Sequence, residues 1–366
     1  MTASPTQNSP SPSSNAPSLI TLVMSDVDES FIIGHACPND AADVAYNTVG
    51  LAETIAVIEQ ARRQQPVEIW WNTVRVLETI QALVQHPQLT PVLEKLHLDG
   101  LIVNNGKQMY ANTGNKNCAA WVSGLNENQD QSPNWRHYIE ETLHWDQALL
   151  DKTFRSVLSE EGFEKSGEIT PEAPLDTPFI LPRGDLRPVY EIWINPQKPG
   201  YVLYYSPKHN TVRLAVWNKR QHWREDTVFA MALKQALESA LSKEKVDFEP
   251  AIVQEKPSHN GRFSLNIVRF NPRGVNKGKT TQAVVDQHAK TIKQLIVVGD
   301  DRPDATLLNG NYTQGKHTLA KTAIICHLPG RSEEASPLWD LQQKANYPYL
   351  TAESGNIGPA LREIFQ

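Results

Sequence analysis

Two carboxylates one residue apart, Asp26 and Asp28, follow directly on the apolar run Leu19-Ile20-Thr21-Leu22-Val23-Met24. Alternate side chains leaving a strand can both reach a site beyond its end. One carboxylate can serve as a covalent nucleophile toward phosphorus, and a second beside it as acid and base. A further acidic pair, Asp300 and Asp304, sits in Gly299-Asp300-Asp301-Arg302-Pro303-Asp304. Mg²⁺ is a hard ion usually held by a few carboxylates, waters and substrate phosphate, and a cation between Asp26 and an anionic phosphate would offset their repulsion. Lys277, in the loop Pro272 to Lys279, could neutralise a transferring phosphoryl group. Thr73 offers a hydroxyl and a backbone N–H. Taken singly these are also a polar strand end, a solvated acidic turn and an exposed lysine.

Elements must bring them together. Leu19 to Met24, Val67 to Trp71, Leu101 to Val103, Leu295 to Val298 and Thr322 to Cys326 read as buried strands. Helical spacing marks residues 50–65, 74–86, 280–293 and 357–365. Strands alternating with helices predict an α/β, Rossmann-like parallel sheet, whose ligands lie beyond the carboxyl ends of its strands. Three of those ends carry Asp26 with Asp28, Thr73 and Asp300. Between residues 111 and 264 the pattern changes: a helix over 134–158, strands at 189–194, 201–205 and 211–217, and a helix over 226–243. The strands at 201–205 and 211–217 flank a turn-forming stretch and predict a hairpin. This stretch reads as an inserted α+β cap. The expected organisation is a tail at 1–18, a core from 19–110 and 265–366, and a cap over 111–264. Trp135, Tyr138 and Trp145 read as core at helical spacing.

Composition narrows the partners. The 366 residues carry a formal net charge of -6 without a basic block, so nucleic acid is not expected. No apolar run has the length to cross a bilayer. Three separated cysteines, Cys37, Cys118 and Cys326, form neither a disulfide framework nor a metal-site spacing, and a cytoplasmic setting is expected. The Ser- and Pro-rich start has too little apolar surface to order itself. Oligomeric state is not legible.

In their order along the chain, Leu22 to Ser30, Asn72-Thr73-Val74-Arg75, Gly274 to Gly278 and Gly299 to Asp304 resemble the motifs of the haloacid-dehalogenase-like phosphatases with a large α+β cap. The branch with sucrose-phosphate phosphatase looks most similar, through Asn134 to Tyr138, Trp145-Asp146 and the ending Tyr349 to Phe365. The resemblance implies Mg²⁺-dependent hydrolysis of a small phosphorylated metabolite, a sugar phosphate being favoured. Asp26 would then attack phosphorus, and Asp28 would act as acid and base. Asp26, Asp28 (through its carbonyl), Asp300 and Asp304 would hold Mg²⁺, and Thr73 and Lys277 would grip the phosphoryl group. Glu29, Val74, Asp301 and Pro303 depart from the usual pattern. A phosphomutase, or a silent sugar-phosphate-binding protein, is the alternative.

Overall fold

The computed structural model describes residues 19–37, 40–114, 116–126, 131–169, 190–198, 201–207, 211–217, 223–249, 252–257, 263–329 and 338–366; the expected tail at 1–18 lies outside them. A seven-stranded sheet runs in the order Tyr349–Glu353, Lys321–His327, Thr291–Gly299, Leu19–Ser25, Val67–Asn72, Gly100–Val103, Gln108–Ala111. Every neighbouring pair is parallel except the last. Period two explains its burial. Ile20, Leu22 and Met24 join one apolar cluster and Val23 the other, as do Leu295 and Val297 against Ile296 and Val298. A strand covered on both faces reads as a nearly continuous apolar run, and only Leu19 of Leu19–Ser25 is exposed.

The helices Thr48–Gln64, Leu77–Val84, Cys118–Ser123 and Gly358–Phe365 cover the Val23 face. The helix Lys277–Gln287 and the short Ala305–Asn309 contribute to the opposite cluster. That cluster continues into a second layer, a six-stranded antiparallel sheet in the order Ile252–Pro257, Phe263–Arg269, Thr211–Trp217, Tyr201–Ser206, Tyr190–Ile194, Glu164–Ile169. Leu150, Phe154 and Val157 of the helix Gln147–Glu160, with Leu233, Leu237 and Leu241 of Trp223–Lys243, pack with Trp193, Leu203 and Tyr205 of this sheet. The expected hairpin is present, Tyr205 pairing with Val212.

Several expectations move. Helix Cys118–Ser123 buries against the first sheet and strand Phe263–Arg269 pairs within the second, so the changes of layer fall later than residues 111 and 264. The helix expected over 134–158 is interrupted. After a wide turn at Tyr138–Thr142, His144 takes a φ of 52°, and Asp146 caps a new helix by accepting from the N–H groups of Ala148 and Leu149. The helix expected to reach residue 293 stops at Gln287, where His288 turns extended and the strand starts at Thr291. Strands Gln108–Ala111, Glu164–Ile169 and Ile252–Pro257 were too short or too polar for periodicity to mark. No described helix is long and apolar enough to cross a membrane.

At the end of the sheet away from the acidic residues, Glu68 fastens helix to strand. His288 Nε2 lies 2.7 Å from one of its oxygens, and Lys290 Nζ donates to the other at 2.7 Å. Burial pushes the Glu68 carboxyl up, but these partners more than offset it and hold it at about 2. A carboxyl depressed in the folded state stabilises above its ordinary range and loses that contribution as pH falls toward the folded value. Glu68→Gln should therefore cost about 1–3 kcal/mol at pH 7. Denaturant midpoints of the two proteins should converge as pH falls from about 4.5 to about 2.

Candidate active site

The parallel sheet sets the first contacts. Ser25 pairs with Val298 on one side and Trp71 on the other, so Asp26, Asp300 and Thr73 leave three adjacent strands at the same end. The Asp26 N–H donates to the Val298 carbonyl at 3.0 Å, fixing the first residue beyond the strand. Carboxylate oxygens of Asp26, Asp300 and Asp304 all lie within 4.8 Å of one another, and all three residues are buried.

Lys277 comes from the far side of the sequence. It opens the helix Lys277–Gln287, whose end is capped by Asn276 accepting from the Lys279 N–H at 2.9 Å. Asn72 closes the strand Val67–Asn72 and is wholly buried. Its Nδ2 donates to the Lys277 carbonyl at 3.1 Å and to Thr280 Oγ1 at 3.0 Å. Strand end and helix start are thereby joined across 205 residues. The Lys277 ammonium, 1% exposed, then lies 2.6 Å from Asp26 Oδ1 and 2.5 Å from Asp304 Oδ1.

Asp304 uses its other oxygen to accept from the N–H groups of Asp300, at 2.9 Å, and Asp301, at 3.3 Å. A loop carboxylate thus shapes its own turn while pairing with lysine. The fit leaves no room at Gly299, where a Cβ would stand 2.5 Å from that of Asp304. Asp300 accepts from Ser30 Oγ at 2.7 Å.

Asp28 and Thr73 are arranged differently from Asp26. The Asp28 side chain stands outside the three-carboxylate cluster. It is 35% exposed, and Arg75 Nε reaches both its oxygens at 2.8 Å. Thr73 is fully buried at its strand end, but its N–H donates to the Ile102 carbonyl at 2.9 Å. The sheet consumes the donor that the sequence reading assigned to phosphate, which leaves the hydroxyl, accepting from the Arg75 N–H at 3.2 Å. Glu29, exposed, takes a φ of 55°, a left-handed conformation that suits glycine. Asn72, Ser30 and Arg75 carry positioning roles the sequence reading had not assigned; a lone buried Asn at a strand end gives no periodic signal.

Three carboxylates face one ammonium in a dry site. Burial is the main reason the Asp26 carboxyl is pushed up to about 8; the neighbouring Asp304 adds to this, and Lys277 opposes it. Burial, then Asp26 and Asp304, push Asp300 well above the usual carboxylate range. At Lys277 burial acts to lower the ammonium, but the two carboxylates outweigh it and raise it above its ordinary value. Asp26 Oδ1 touches Lys277 yet has no aligned hydrogen bond. Three buried carboxylates sharing one ammonium, with oxygen donors only, fit a hard divalent cation.

No family model matches the sequence, and no curated protein matches it. Among solved structures the chain is similar to the sucrose-phosphatase of Synechocystis sp. PCC6803, with 15% identity over 94% of this chain and 97% of that one and a TM-score of 0.48. It is similar to a haloacid dehalogenase-like hydrolase of Bacillus subtilis at 11% identity, 96% and 97% coverage and a TM-score of 0.46. A trehalose-6-phosphate phosphatase of Aspergillus fumigatus gives 13%, 94% and 92%, and 0.41.

Carboxyls raised in the folded state contribute stability below their ordinary range and lose it as pH rises through the folded value. In chelator, thermal unfolding should therefore show stability falling by roughly a few kcal/mol between pH 4 and 8, the window set by Asp26. Asp300→Asn removes one of the facing charges and should flatten that fall. A stability rising across the same window would contradict the charge assignment.

Proposed function

We propose that the chain hydrolyses a phosphate monoester through an aspartyl-phosphate on Asp26, in a reaction that depends on Mg²⁺. The observation that carries this reading is the buried ammonium of Lys277 set between Asp26 and Asp304, with Asp300 beside them. The sugar-phosphate class follows from the sequence resemblance, and a small phosphorylated metabolite is the partner it implies. Two buried free thiols, Cys118 and Cys326, suit the reducing cytoplasmic setting that the reading assumes.

In this reading Asp26 and Asp300 would hold the ion with the Asp28 carbonyl. Asp304, with both oxygens on protein donors, completes the set mainly by holding the loop and Lys277. The ion would supply positive charge against phosphoryl oxygens. An Asp26 oxygen attacks phosphorus and the ester P–O bond breaks. Asp28 gives its proton to the departing alkoxide. Asp28 then takes a proton from water as that water attacks the acyl phosphate, the bond to Asp26 breaks, and inorganic phosphate leaves. Lys277 faces Asp26 throughout and offsets the charge of the transferring group. The Thr73 hydroxyl is left to donate to a phosphoryl oxygen. Arg75 holds the Asp28 carboxylate by two hydrogen bonds, which keeps it oriented beside the nucleophile.

The test is release of inorganic phosphate from a panel of phosphorylated sugars and related metabolites, with Mg²⁺ and with chelator. Asp26→Asn should lower kcat at least about 1,000-fold, the scale of losing a covalent nucleophile. Arg75→Ala should lower it less, about 10- to 100-fold, because Asp28 is released rather than removed. No phosphate release by the parent protein across the panel would overturn the reading.

A further inference from the structure

The three carboxylates of the cluster share a property that bears on the kind of ion they accept. None of them keeps both its oxygens unengaged. Asp26 sets Oδ1 at 2.6 Å from the Lys277 ammonium. Asp304 meets the same ammonium with Oδ1 and gathers the N–H groups of Asp300 and Asp301 with Oδ2. Asp300 accepts through Oδ1 from Ser30 Oγ at 2.7 Å, and among the described residues no donor is placed at its Oδ2.

The serine that occupies Asp300 is itself held in place. Ser30 is wholly buried, so bulk water does not compete for its proton. Its carbonyl accepts from the Gly355 N–H at 2.9 Å, which ties it to the loop beyond the strand Tyr349–Glu353. Gly355 takes a φ of 75°, and a Cβ there would stand 2.2 Å from Ile33 Cγ2. Glycine is what lets that loop approach so closely. On the other side the Glu29 N–H donates to the Ile32 carbonyl at 2.9 Å, and the Ile32 N–H to the Val27 carbonyl at 2.8 Å. Ser30 thus sits in a turn pinned from both sides, with its hydroxyl spent on Asp300.

Ca²⁺ gathers about six to eight oxygens and takes carboxylates through one oxygen or two. Mg²⁺ is smaller, demands near-octahedral geometry and keeps several waters beside one or two carboxylates. A cluster whose carboxylates each have an oxygen engaged elsewhere therefore suits Mg²⁺. Asp26 and Asp304 owe this to the lysine, whereas Asp300 owes it to a neutral hydroxyl. Removing that hydroxyl would release an oxygen without changing the charge of the site.

We propose that Ser30 is a determinant of cation selectivity: by holding Asp300 Oδ1 it confines this carboxylate to ligation through one oxygen and favours Mg²⁺ relative to Ca²⁺. The inference rests on the ion site of the reading above and adds what selects the ion. A buried hydroxyl that only satisfied its own hydrogen bond would affect stability, without a bias between two ions of equal charge.

The experiment reads ion binding without turnover. Binding of Mn²⁺ to the protein is followed by loss of its solution electron paramagnetic resonance signal, and Mg²⁺ and Ca²⁺ are each titrated as competitors. Ser30→Ala should shift the ratio of the two competitor affinities toward Ca²⁺ by at least about fivefold. Ser30→Thr, which keeps the hydroxyl, should stay within about twofold of the parent. Thermal unfolding in chelator checks that each variant is folded. Ser30→Cys, similar in size but a weaker donor, should shift the ratio in the same direction as Ser30→Ala. An unmoved ratio in either folded variant, equal weakening of both ions, or a parent protein that binds no Mn²⁺ would each overturn the inference. Phosphate release judges the hydrolase reading separately: a shifted ratio in a protein that hydrolyses no ester supports the inference and removes that reading.

Discussion

The ammonium of Lys277 is the charge around which the site is built. Water does not reach it, and an isolated cation in such a place would be expensive to bury. Two carboxylates at 2.6 and 2.5 Å replace that water. The dependence runs both ways. Three carboxylates within 4.8 Å of one another would repel strongly in a medium of low dielectric constant. Lysine offsets one of them in full. The remaining negative charge is offset by protons, the direction in which burial pushes the carboxyls of Asp26 and Asp300, or by a cation that displaces them. A site in this condition is poised to exchange protons for a metal ion, and it does so at the cost of stability near neutral pH.

Such a cluster needs a rigid frame, because its members come from three separate stretches of chain. Parallel pairing gives the frame its precision. With Ser25 locked against Val298 and Trp71, the residues beyond those strands emerge side by side without any loop having to choose a conformation. Lys277 is carried by a helix and not by a strand. Asn72 solves this by binding the first turn of its helix, so the ammonium inherits the placement of the sheet. Asp304 does the equivalent for the acidic loop, its second oxygen gathering the N–H groups of residues 300 and 301.

Much of this was legible in the sequence because apolar runs that end in polar residues are hard to mistake. Leu19 to Met24 and Leu295 to Val298 announced their strands, and what followed them announced the acidic cluster. What stayed hidden has physical reasons. The Thr73 N–H looked available because sequence does not show that Ile102 would claim it across the sheet edge. The break at His144 was invisible since Trp135, Ile139 and Leu143 kept helical spacing up to it. Strand Phe263–Arg269 carries an apolar pattern that suits either layer, and only its antiparallel partners assign it to the second. Asn72 and Arg75 act through single hydrogen-bonded contacts, which leave no periodic trace.

The two carboxylates that opened the sequence reading end in unlike surroundings, and that difference suits unlike tasks. Asp26 is 7% exposed and faces an ammonium, which suits a group that must present an oxygen to phosphorus away from bulk water. Asp28 keeps a third of its side chain open, and a guanidinium steers it by both oxygens. A proton carrier needs contact with water and a fixed direction, and it has both. Just beyond the pair, Glu29 takes a positive φ that turns the chain back, and the Ile32 N–H donates to the Val27 carbonyl. An acidic side chain can occupy that apex because it is exposed.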